Sequence, residues 1–68
     1  MVSYKKLWVL LAQKELNKKK LMSLAGISTT SMNKLVKGAN VTTDILCRIC
    51  NVLECDFKDI MEYIPENK

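Results

Sequence analysis

A chain of 68 residues, 49% hydrophobic and 26% charged, has room for one domain with one core and is too apolar to be disordered by composition. Its formal net charge is +4, it has three cysteines and no histidine, and an odd thiol count argues for a reducing cytosol rather than a disulfide framework. The longest apolar run, Leu7 to Ala12, is far too short to span a bilayer, and no secretory leader or lipid-anchor pattern is visible, so a cytoplasmic protein is expected.

With one proline (Pro65) and two glycines (Gly26, Gly38), the chain reads as all-helical. One signature recurs along it: a polar cap, an apolar residue just before, and an apolar residue four positions after. It appears at Val2/Ser3/Leu7, Leu16/Asn17/Leu21, Ile27/Ser28/Met32, Val41/Thr42/Leu46 and Cys55/Asp56/Ile60. The cap accepts a bond from a free N–H of the first turn, and the apolar pair closes over it as a staple. Five helices are therefore expected in a single domain over residues 1–68, folded from about residue 3 to residue 64, with 65–68 as a polar tail.

Helix one is predicted from about Tyr4 to Lys14, with Tyr4, Leu7, Leu10 and Leu11 inward and Trp8 at the border of that stripe. Helix two runs from about Lys18 to Leu24, with Leu21 and Leu24 inward. Gly26 then takes a tight turn, where a positive φ is easiest for glycine. Helix three follows from Ser28 to Val36 or Lys37, with Met32, Leu35 and Val36 inward, and Gly38 ends it. Helix four starts after Thr42 and buries Ile45, Leu46, Ile49, Cys50 and Leu53. Helix five starts after Asp56, with Asp59 completing a weak capping box and Phe57, Ile60 and Met61 inward.

The charge is unevenly spread. Through Asn40 there are eight basic residues against one acid; from Val41 onward there are three against six. Lys18, Lys19 and Lys20 fill the first turn of helix two, where the helix dipole disfavours cations. Solvated lysines would look the same. Beside a helix-turn-helix pattern, a phosphate held by the helix N–H groups and the lysines together is the second reading. The outer face of helix three presents Thr29, Thr30, Ser31, Asn33 and Lys34. These types suit base edges: paired bonds from Asn to adenine, Lys to guanine, Thr or Ser to several bases. An ordinary polar helix face has the same composition, so residue types alone leave both readings open.

The stretch Leu21-Met22-Ser23-Leu24-Ala25-Gly26-Ile27-Ser28, followed by Met32, Leu35 and Gly38, resembles the helix-turn-helix of the Cro and phage-repressor superfamily. The resemblance extends through Tyr4–Trp8, Lys34–Lys37, Val41–Leu46, Ile49-Cys50, Leu53–Asp56 and Asp59–Glu62, as in small stand-alone bacterial and phage regulators. It implies an all-α, compact five-helix, lambda-repressor-like domain that binds double-stranded operator DNA, usually as a homodimer. Matched to that pattern, Thr29, Thr30, Ser31 and Lys34 fall among base readers, while Asn17, Lys18, Lys37 and Asn40 fall among phosphate contacts. Asn33 joins the readers and Lys19 the phosphate set by position. Met22 departs from the family by replacing a small residue where helix two crosses helix three, and the family's glutamines at the starts of those helices are absent.

Other chemistry lacks its residues. With no histidine there is no Cys–His or Ser–His pair, and no glycine-rich phosphate loop occurs, so no enzyme is expected. Cys47, Cys50 and Cys55 fall short of the four ligands of a structural zinc site. No metal, cofactor or small-molecule ligand is expected. The reading is a sequence-specific DNA-binding regulator, repressor favoured because no effector domain accompanies it, with a dimer surface around Phe57, Met61, Tyr63 and Ile64. The alternative is a helical protein-interaction module, antitoxin-like or an adaptor, without DNA binding.

Overall fold

The computed structural model describes residues 1–66. Among the described residues there are four helices: α1 (Lys5–Gln13), α2 (Lys18–Ala25), α3 (Thr29–Lys37) and α4 (Thr43–Leu53). A short strand β1 (Val2–Ser3) precedes them, and a 3₁₀ turn (Phe57–Asp59) and strand β2 (Glu62–Tyr63) follow. Of the expected polar tail, Asn67 and Lys68 lie outside the described residues.

The middle helices start where their caps predict. Asn17 Oδ1 accepts from the Lys20 N–H at 2.7 Å, Ser28 Oγ from the Ser31 N–H at 3.2 Å, and Thr42 Oγ1 from the Ile45 N–H at 3.3 Å. Each bond satisfies an N–H that the first helical turn leaves free. Gly26 and Gly38 close α2 and α3 in the left-handed region, at φ 67° and 75°.

The two ends of the chain depart from the expected five-helix arrangement. Asp56 and Asp59 form the anticipated capping box, with Asp59 Oδ2 accepting from the Asp56 N–H at 2.9 Å. The helix it starts is a single 3₁₀ turn, after which the chain extends and pairs antiparallel with β1, Val2 opposite Tyr63 and Ser3 opposite Glu62. Met1 and Ile64 add a bond each way, at 2.8 and 3.1 Å. Pro65 bars a longer helix here, and cross-chain pairing with β1 satisfies the backbone after the 3₁₀ turn instead. Ser3 is correspondingly not the cap of α1. Its backbone belongs to the ladder, Tyr4 takes the cap position without a side-chain bond, and Ser3 Oγ accepts from the Lys5 N–H at 3.3 Å.

One core joins all the helices. Leu7 and Leu11 meet Leu21 and Ala25, Met32 and Leu35, and Leu46, Ile49 and Leu53, with Ile60 closing the end. A fully buried Leu or Ile contributes about 2 kcal/mol. Trp8, Leu10, Met22, Ile45 and Cys50 are half-buried against this cluster. Three expected core residues are outside it. Leu24 is 53% exposed, because the inward stripe of α2 runs through Leu21 and Ala25 at i, i+4 spacing. Val36 is 50% exposed, since α3 buries the line through Met32 and Leu35. Phe57 is exposed because the 3₁₀ turn presents no helical stripe.

Candidate nucleic-acid interface

The outer face of α3 carries Thr29, Thr30, Asn33, Lys34 and Lys37, all exposed. Ser31 is set apart from them. It is half-buried, and its hydroxyl accepts a bond from the Ser28 hydroxyl at 3.3 Å as part of the cap. Lys34 and Lys37 lie in the last turn of α3, where cations suit the dipole.

The start of α2 is arranged oppositely. It has no acid in its first turn, and Lys18, Lys19 and Lys20 are all exposed there. The Lys18 ammonium sits 4.9 Å from the centre of the Trp8 ring, within cation–π range. Trp8 borders two shallow clefts. One is lined by Leu16, Asn17, Lys18 and Lys19; the other by Val36, Lys37 and Gly38. This indole therefore lies between the beginning of α2 and the end of α3. The surface so assembled holds Asn17, Lys18, Lys19 and Lys37 around one aromatic ring.

Asn40 is exposed in the loop after α3. That loop is tied down by Tyr4, which is buried to 4% exposure and donates from its hydroxyl to the Ala39 carbonyl at 3.2 Å. Burial pushes the Tyr4 phenol above its ordinary pKa, so it stays a donor. The turn before α3 is held from outside as well. Arg48 Nη1 donates to the Gly26 carbonyl at 3.1 Å, and Arg48 Nε pairs with Asp44 at 3.0 Å.

Trp8, Tyr4 and Arg48 were not among the site residues expected from sequence. A buried tyrosine needs a partner for its hydroxyl, which is a signal that some bond exists but not where it goes. Asp44 and Arg48 stand at i, i+4, which forecasts their own pairing and not the bond to Gly26. Nothing local marks Trp8 as a neighbour of Lys37.

The thiols stand apart from this surface. Cys47 is exposed, while Cys50 and Cys55 are half-buried side by side at the end of α4. Burial, then the neighbouring Cys55, pushes the Cys50 thiol up to about 11. Among the described residues no group of three or more His, Cys, Asp or Glu side chains is placed to hold a metal ion, and no helix is long and apolar enough to cross a membrane.

Comparison with known proteins bears on the fold and the family. Among curated protein sequences none matches the chain. The crystal structure of the transcriptional regulator VanUg, in its second form, superimposes with a TM-score of 0.92 at 45% identity, covering 96% of this chain and 87% of that one. The model of the Cro/C1-type helix-turn-helix DNA-binding domain matches residues 6–66. The motif formed by α2, the Gly26 turn and α3 is thus a family feature, and the chain belongs to the Cro/C1-type helix-turn-helix DNA-binding domains.

Proposed function

We propose that the protein is a sequence-specific regulator that inserts α3 into the major groove of double-stranded DNA. The observation that carries this reading is a pair of surfaces linked through Lys37, which ends α3 and lines a cleft beside Trp8. One is the uncharged, hydrogen-bonding face of α3, edged by lysines. The other is the lysine cluster around Trp8, at the start of α2 and the end of α3.

In this reading Thr29, Thr30, Asn33 and Lys34 contact base edges. Ser31 contributes through its cap bond, which orders the first turn of α3, and its hydroxyl, which accepts from Ser28, keeps its own O–H to donate to a base. Asn17, Lys18, Lys19, Lys37 and Asn40 hold phosphates and set the register. Lys18 would exchange the indole face for a phosphate oxygen. The family membership and the likeness to a transcriptional regulator support the DNA-binding role.

Binding as a homodimer would place two α3 helices in half-sites about one helical turn apart. Phe57 and Tyr63, both exposed, with half-buried Met61 and Ile64, offer the apolar surface for it. Bound over a promoter, such a domain would occlude it and act as a repressor.

The test is selection of bound sequences from a random duplex pool, followed by titration of salt. Affinity should fall steeply with salt. Lys18→Ala should reduce the salt slope by about one, while Thr30→Ala and Lys34→Ala should relax sequence preference and leave the slope nearly unchanged. No enriched sequence and no salt-dependent binding at micromolar protein would overturn the reading in favour of a protein-interaction module.

A further inference from the structure

We infer that Arg48 is a positioning residue for α3, clamping the turn of the motif from α4; this rests on the DNA-binding reading above. Gly26 is the pivot between α2 and α3. Its own N–H and that of Ile27 both go to the Met22 carbonyl. Its carbonyl receives the Arg48 guanidinium at 3.1 Å across 22 residues of sequence. Asp44, one helical turn before Arg48, takes the other side of the fork at 3.0 Å. The guanidinium is thus fixed in direction by α4 before it reaches the turn.

The clamp also corrects a charge imbalance. α2 carries three lysines at its dipole-positive start and no basic residue in its last turn. Arg48 supplies the missing cation at that end from another helix. A lysine cannot do both jobs, because an ammonium lacks the planar fork that bonds a carboxylate and a carbonyl at once.

The consequence is for specificity. Phosphate contacts at the start of α2 and base contacts on α3 can be made together only at one angle between the helices. Loosening the pivot leaves each set intact and spoils their simultaneity. Binding to a preferred sequence should suffer, and binding to arbitrary DNA should not.

Arg48→Met, Arg48→Lys and Asp44→Asn test this, read on a duplex selected by the wild-type protein and on an unrelated duplex of the same length. Arg48→Met should weaken the selected duplex about fivefold, as loss of one charge-assisted hydrogen bond implies. The unrelated duplex should change less than about twofold, since phosphates dominate there. The salt slope should stay the same, Arg48→Lys should fail to rescue, and Asp44→Asn should give a smaller loss of the same kind. Amide exchange at Gly26 and Ile27 in the free protein should quicken in Arg48→Met. A shallower salt slope would make Arg48 a phosphate contact and overturn the inference, as would unchanged binding of the selected duplex or unchanged exchange at both amides. If the wild type selects no duplex, the functional reading fails, and the exchange measurement alone decides whether the clamp exists.

Discussion

The two helices of the motif end on glycine, whereas the two that flank it end against glutamate. Gly26 and Gly38 take φ 67° and 75°; Glu15, just after α1, and Glu54, capping α4, take 58° and 53°. All four residues make the same left-handed reversal, which costs an L side chain roughly 1–2 kcal/mol. A Cβ at Gly26 would stand 3.6 Å from Arg48 Nη1, and one at Gly38 would stand 3.6 Å from the Val2 carbonyl, ordinary contacts in both cases. Glycine is therefore needed for its conformation, not for space. The elements that set the candidate interface turn without strain, and the strain is borne by the scaffold.

Three measurements break or sharpen this contrast. The largest effects should not distinguish the two regions at all. Leu21 in α2 and Leu53 in α4 are 0% and 1% exposed in the same core, so Leu21→Ala and Leu53→Ala should each cost about 3 kcal/mol in thermal or urea unfolding. A much smaller loss for either would mean that motif and flank fold separately. At the helix ends the regions should move in opposite directions. Gly38→Ala should destabilise by about 1–2 kcal/mol, and Glu54→Gly should stabilise by up to about 1 kcal/mol. Loss of stability in Glu54→Gly would show that the glutamate has a role its backbone angle conceals.

The smallest effect concerns pH and belongs to the strained end of α4. Cys50 is raised from 9.0 to about 11, first by burial and then by Cys55. A folded-state pKa above the unfolded one contributes stability that is present below pH 9 and lost as pH rises through about 11. Tyr4 shifts in the same direction by burial and adds to the loss. Urea midpoints should fall across that alkaline window, and Cys50→Ala should make the fall shallower without abolishing it.

What could be read from sequence was what neighbours along the chain decide. Asn17, Ser28 and Thr42 each act within three residues, so α2, α3 and α4 begin where their caps stand. Gly26 and Gly38 are equally local. The ends of the chain were decided elsewhere. Asp56 and Asp59 announce a helix start, but the partner that draws the following residues into a strand is Val2-Ser3, some sixty residues away. Two-residue strands carry no periodicity to recognise. The same division runs through the candidate site. The polar face of α3 follows from helical spacing, and its lysines from simple position. The side chains that brace it, Tyr4 on Ala39 and Arg48 on Gly26, act across 35 and 22 residues. Leu24 and Val36 were misplaced for a related reason: a stripe's width depends on what packs against it, and α2 and α3 each offer the core a narrow line.

The stacking of Lys18 on Trp8 has an optical consequence. Trp8 is the chain's one tryptophan, half-buried and lying under a single ammonium group. Indole emission depends on the charge and solvent at the ring. A polyanion that draws Lys18 away alters both at the only strongly emitting residue in the molecule. Occupancy of this surface would then be visible in the intrinsic fluorescence of the unlabelled protein, and Lys18→Ala would give, without any ligand, the spectrum of a ring already uncovered.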